Sequence, residues 1–154
     1  MHIEQFNQSV RFINQIHTER ANPQEMWSAN TVANLPKIKK KDGIWNMDGM
    51  LAGEKEKAIV LICASPALKR DVEKLKKLNN KFITIAANSA LKFLLKNGFK
   101  PDYTIALDGD PTNLVGHLDC DNEDLTLIAS NATAPEAIDV WKGKIIWTPY
   151  FAVD

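Results

Sequence analysis

The sequence is short of the residues that several kinds of protein depend on. Its two cysteines, Cys63 and Cys120, are too few and too far apart for a zinc cluster, and they read as reduced thiols of a cytosolic protein. No apolar run approaches the roughly 18 residues needed to span a bilayer, and the first five residues lack the charged start of a signal peptide. Nineteen basic residues balance nineteen acidic ones, so no net field draws the chain to nucleic acid or to an anionic membrane. There is no Walker loop, no Ser/His/Asp arrangement, no Cys/His cage, no internal repeat and no low-complexity tract. The expectation is a soluble, cytoplasmic protein with neither a nucleic-acid nor a membrane partner.

What is present is enough apolar material for a core: 154 residues at 45% hydrophobic suit one domain of ordinary size with an N-terminal appendage. Phe6, Val10, Ile13 and His17 stand at helical spacing, which predicts an amphipathic helix over residues 3–20 that ends before Asn22-Pro23. Its apolar face needs a partner, which leaves open a homo-oligomer or a protein partner through the N-terminal region. Residues 24–57 are less regular, with Trp27 and Trp45 among Asn, Pro and Gly. The basic run Lys37–Gly43 reads as a solvated loop, a phosphate contact being the sharper alternative. Residues 1–56 are thus a helix and lead-in packing on the core, and 57–154 form the main domain. Tyr150–Asp154 adds no closing element, which suggests part of a longer protein.

From Lys57 the pattern becomes regular. Strands are expected at Ala58–Ile62, Phe82–Ala86, Tyr103–Leu107, Leu125–Ala129 and Lys144–Trp147. The first crossover helix carries Leu68, Val72, Leu75 and Leu78 on one face, with lysines opposite. The second opens at Asn88-Ser89, either of which can cap it, turns Leu91, Leu94 and Leu95 inward and stops at Asn97-Gly98. Asp108–Asp124 reads as a long polar segment in place of a third full helix, and a last helix begins near Thr133-Ala-Pro135 and ends before Gly143. This alternation predicts an α/β three-layer sandwich, a mostly parallel sheet covered on both faces, in the order 3-2-1-4-5. In that order the turn Cys63–Leu68 and the pair Ser130-Asn131 would share one crevice at the switch point.

Three places could carry chemistry. The turn Cys63-Ala64-Ser65-Pro66-Ala67-Leu68 leads from a strand into a helix, whose free amides and partial positive charge suit a phosphate. None of the seven glycines lies in it, and an ordinary turn with Pro66 as the first helical residue is the other reading. Asp108 and Asp110, one residue apart after a strand, could hold Mg²⁺ or Mn²⁺ bridged to phosphate oxygens, or could simply form a turn. Asn88-Ser89 and Ser130-Asn131, at the ends of the second and fourth strands, could bond a ligand or serve as caps. His117, near Asp119, is a further acid or base candidate against a surface reading.

Ala58–Leu68 followed by Ile85-Ala-Ala-Asn-Ser-Ala-Leu91, Leu95-Lys-Asn-Gly-Phe-Lys-Pro-Asp-Tyr103 and Ile105-Ala-Leu-Asp108 resembles the 6-hydroxymethylpterin diphosphokinase-like family. That family includes the motility accessory factor glycosyltransferases, and bacterial sialyltransferases look more distantly similar. The resemblance covers roughly residues 30 to 148 and implies a Rossmann-like domain that binds a nucleotide or nucleotide sugar. Such a domain transfers a diphosphate or glycosyl group, often with a divalent metal. By position, Cys63–Leu68 would cradle phosphate, Asn88-Ser89 would lie near the nucleotide, and Asp108 would be the acidic residue after the third strand. The chain departs from the family's Gly-x-Gly-Pro-Ser-Leu at this turn, with Cys63 and Ser65 at the glycine positions and Ala67 at the serine. Asp108 and Asp110 are therefore the expected catalytic and metal-holding pair. The acceptor is not specified by any residue pattern. A non-catalytic interaction module with a degenerate nucleotide site is the rival reading.

Overall fold

The computed structural model describes residues 22–38, 57–77 and 81–149. The helix expected over residues 3–20, Trp45, Leu78, the basic run beyond Ile38 and the last five residues lie outside them. Helix α1 spans Pro23–Asn34 and passes into a 3₁₀ turn, Leu35–Lys37. There follow β1 (Ile59–Ile62), α2 (Pro66–Lys77), β2 (Ile83–Ala87), α3 (Asn88–Lys96), β3 (Tyr103–Ala106), α4 (Pro111–Leu118), β4 (Thr126–Ser130), α5 (Pro135–Asp139) and β5 (Lys144–Thr148). The alternation read from the sequence is reproduced, strand for strand.

The order of the sheet is not. All five strands are parallel and lie in the order β1-β2-β3-β4-β5, so the expected order 3-2-1-4-5 is corrected. Each crossover steps one strand in the same direction, and right-handed crossovers that never reverse put the four crossover helices on the same face, where the expected order would have spread them over both. The packing agrees. Ile62, Ala86, Thr104, Leu127 and Ile145 form one row across the sheet, and Ala106, Ala129 and Trp147 form the next. Ile62 and Ala86 pack with Leu68, Val72, Leu94 and Phe99, while Ala106, Leu127, Ala129 and Trp147 pack with Leu91, Leu114, Leu118 and Ile138. Each fully buried leucine of this layer contributes about 2 kcal/mol by its removal from water. With no reversal among the described strands there is no switch point between them, and β2 and β3 separate the β1 turn from the β4 turn.

Two local readings also change. Residues 111–118, expected within a polar loop, form α4: Asp110 caps it, Pro111 is its first residue, and Leu114 and Leu118 are buried one turn apart. Gly116 interrupts the apolar pattern on the open side of the helix, where a Cβ would meet nothing within 4 Å. Residues 23–34, expected to be irregular, form α1. Asn22 and Pro23 are the cap and first residue of this helix, with Asn22 Oδ1 accepting from Gln24 N at 3.1 Å. The end of α3 is as expected. Gly98, at φ 73°, lets Gly98 N donate to Leu95 O and Phe99 N donate to Leu94 O, closing the helix with carbonyl partners inside it.

Candidate functional site

The carboxyl ends of parallel strands are where such sheets bind ligands, because the loops there join a strand to the start of a helix. Four of these starts can be compared directly. In α2, Pro66 supplies no N–H, and the Leu68 amide donates to Ser65, to its Oγ at 3.3 Å and to its carbonyl at 3.1 Å. The turn Cys63–Leu68 therefore caps itself: one amide of the expected phosphate cradle is missing and another is spent within the turn. In α4, Asp110 Oδ1 accepts from Thr112 N at 2.8 Å and from Thr112 Oγ1 at 2.5 Å, again with proline at the first position. In α5, Pro135 follows Ala134 without a side-chain cap.

Helix α3 is different. It follows β2 with Ala87 at the cap position, no side-chain cap and no proline in its first turn. Neither Asn88 nor Ser89 caps it, contrary to the expectation from sequence. The Asn88 side chain turns away and its Nδ2 lies 3.1 Å from His117 Nδ1 on α4. Ser89 and Ala90 line a cavity of about 390 Å³ together with Ala64, Ser65, Pro66, Leu68, Lys69 and Phe93. The cavity is mainly apolar and opens between the starts of α2 and α3, with Lys69 as its cationic residue.

On the other side of α3, the chain Asp108-Gly109-Asp110 is pinned in place. Asp108 Oδ1 accepts from Asp110 N at 3.0 Å, and the Asp108 carbonyl accepts from Ala134 N at 3.0 Å. Asn30 Nδ2 of α1 donates to Gly109 O at 2.9 Å and to Ala132 O at 3.1 Å. Asn34 Nδ2, one turn on, donates to Asn131 O at 3.0 Å and to Thr133 O at 2.8 Å. Thr133 Oγ1 donates to Ala106 O at 3.0 Å, which ties the β4 turn back to the end of β3. Lys37 anchors the same helix to α5 through Asp139 at 2.5 Å and Pro135 O at 3.3 Å. The first residue of the basic run thus serves packing. Sequence reasoning missed Asn30 and Asn34. Their four-residue spacing, which puts both amides on one face of a helix, was the available signal once Asn22-Pro23 is read as a start.

Ser130 is buried, and its Oγ accepts from Ala132 N at 3.1 Å. Asn131 N donates to Thr148 O at 3.0 Å. These two residues shape the β4 turn under α1 and do not meet the Cys63–Leu68 turn, because the sheet order keeps them apart.

Whether a divalent cation fits can be judged from the oxygens. No group of three or more His, Cys, Asp or Glu is gathered among the described residues. Magnesium accepts one or two protein carboxylates and completes its shell with water and phosphate. Asp108 is exposed, and with its Oδ1 accepting from Asp110 N its other oxygen suits that use, whereas Asp110 Oδ1 accepts twice from Thr112 at the start of α4.

A family model described as 6-hydroxymethylpterin diphosphokinase MptE-like matches residues 29–152, most of the chain. The chain belongs to this family. The resemblance seen in Asn88–Leu91 and Gly98–Tyr103 is thereby borne out. Among solved structures, the MptE-like chain is similar to the MAf glycosyltransferase from Magnetospirillum magneticum AMB-1. The identity is 24%, over 64% of this chain and 16% of that one, with a TM-score of 0.49. The chain therefore spans a small part of that glycosyltransferase. No curated protein sequence matches. The family's description is of a diphosphokinase, which makes a transferase-like domain the coarse functional assignment of this MptE-like chain. No helix among the described residues is long and apolar enough to cross a membrane.

Proposed function

We propose that this is a nucleotide-dependent transferase domain, diphosphokinase-like or glycosyltransferase-like, whose donor phosphates lie at the start of α3. The observation that carries the proposal is the uncapped first turn of α3 beside the 390 Å³ cavity. Of the four crossover helices, this one combines amides not spent on a side-chain cap, no proline and an adjoining space of ligand size. The apolar lining of Leu68, Ala90 and Phe93 suits a ring of the donor, and Lys69 suits its charge. Asp108 would hold Mg²⁺ or Mn²⁺, which when bound offsets negative charge on the leaving group. The protein's own part is positioning and electrostatics: the α3 amides fix the phosphates, and the cavity excludes water from the ring.

Calorimetric titration of the whole chain with a nucleoside triphosphate and with a nucleotide sugar, each with and without Mn²⁺, tests the proposal. Binding of at least one is expected, strengthened by Mn²⁺, and Asp108→Ala should remove the metal's effect while leaving metal-free binding. No binding under any condition would sink it. The self-capped α2 turn favours a second reading, a non-catalytic module with a degenerate nucleotide site. On that reading no nucleotide raises the thermal midpoint, since only a ligand of the native state stabilises it.

A further inference from the structure

His117 has no part in the reading above, yet it is tied to the residue that begins α3. Asn88 Nδ2 lies 3.1 Å from His117 Nδ1, and the two come from different helices 29 residues apart. An amide N–H₂ can only donate, so Nδ1 accepts and the neutral ring carries its proton on Nε2. Leu91, Leu114 and Leu118, all buried in one cluster, hold α3 and α4 against each other around this contact. The imidazole is half-buried, so its orientation is set by packing and by Asn88 while part of it remains reachable. Among the described residues no partner is bonded to Nε2.

We propose that His117 is a binding residue of the α3 site, its Nε2–H donating to a phosphate oxygen of the donor, and that Asn88 is the positioning residue that selects this tautomer. The inference rests on the placement of phosphate at the start of α3. It gives the polar pair there a division of labour: Ser89 faces the cavity, and Asn88 orients the histidine. A hydrogen bond to a charged oxygen at this point is worth about tenfold in affinity.

The test uses uniformly ¹⁵N-labelled full chain and ATP as the probe, followed by long-range ¹H–¹⁵N imidazole correlation spectra. The free protein should show His117 as the Nε2–H tautomer, and ATP should shift its Nε2 resonance. His117→Phe should weaken ATP binding about tenfold with the thermal midpoint little changed, and His117→Gln, which keeps an N–H donor, should recover part of the loss. Asn88→Ala should shift the tautomer balance of the free protein, which a purely structural asparagine would not do. If ATP binds while the His117 resonances stay unmoved, or if His117→Phe binds like the wild type, the role of His117 is refuted and the α3 site stands. Failure of the wild type to bind ATP or any other nucleotide removes the site and, with it, the role given to His117.

Discussion

Gly109 lies between two aspartates, but its own reason for being glycine is the neighbouring helix. A Cβ there would come within 2.5 Å of Trp27 Cδ1 and 3.1 Å of Asn30 Nδ2. Gly109→Ala should therefore push α1 off the turn and destabilise the fold by about 1–3 kcal/mol, read from denaturant midpoints. An unchanged midpoint would mean that α1 does not press on this turn in solution. Thr104 presents the opposite case. Its hydroxyl is fully buried in the sheet row beneath the helices and has no hydrogen-bond partner among the described residues. Thr104→Val keeps the shape and removes the stranded hydroxyl, so it should stabilise the protein by about 1 kcal/mol. Loss of stability would show that the hydroxyl finds a partner. The two cysteines differ as well. Cys63 is exposed in the α2 turn, whereas burial pushes the Cys120 thiol up, opposed by Lys92 and reinforced by Asp119 and Asp121. A thiol reagent near neutral pH should label Cys63 first, with Cys120 following only above the ordinary thiol range, about pH 8.5. Mass spectrometry of labelled peptides over a pH series reads this directly, and equal rates throughout would contradict it.

The elements show which signals a sequence carries locally. Helix α2 was legible, because Leu68 and Val72 face inward on one stripe and charged residues fill the other side. Its surface also carries a small pH-dependent contribution. Hydrogen bonds from Lys74 and then Arg70 hold the Asp71 carboxyl below its usual value. A carboxyl lowered on folding adds stability above its unfolded value, about 3.9, and that stability is lost as pH falls through the folded value. Asp71→Asn should therefore flatten the fall in thermal midpoint below about pH 4, and added salt should shrink the difference, since the group is exposed. A wild-type acid profile identical to that of the variant would remove Asp71 from the account. Helices α1 and α4 were not legible for a different reason. Each begins with a polar residue followed by proline, Asn22-Pro23 and Asp110-Pro111, a pair that serves equally as a helix start and as a turn. What decides is whether the following residues find something to pack against. For α4 that is Leu91 and the β4 row, and for α1 it is the turn carbonyls that Asn30 and Asn34 cover.

At the scale of the molecule, the order of the strands governs where a ligand can go. The sequential sheet puts β3 at its centre and β1 at one side, whereas the order 3-2-1-4-5 would have made β1 central. Amide hydrogen exchange separates the two, with Thr104 and Ile105 expected to exchange more slowly than Val60 and Leu61. The reverse ranking would restore the switch-point sheet. The site moves with the order. Ser130-Asn131 belongs under α1, and the open space lies between α2 and α3.

Read alone, the sequence determined the alternation of strands and helices, the apolar faces of α2 and α3, the glycine that ends α3 and the family. Each of these depends on neighbours in the chain: periodicity, a positive φ, or a block of residues such as Gly98–Tyr103. The tertiary structure decided the order of the strands, the docking of α1 and which helix start is left open. Those depend on residues about 80 to 100 positions apart, as Asn30 is from Gly109 and Asn34 from Thr133. A turn rich in proline, serine and aspartate reads the same whether its amides are spent within the turn or kept for a ligand. Only the positions of Ser65, Asp110 and Asn88 in space tell the two apart.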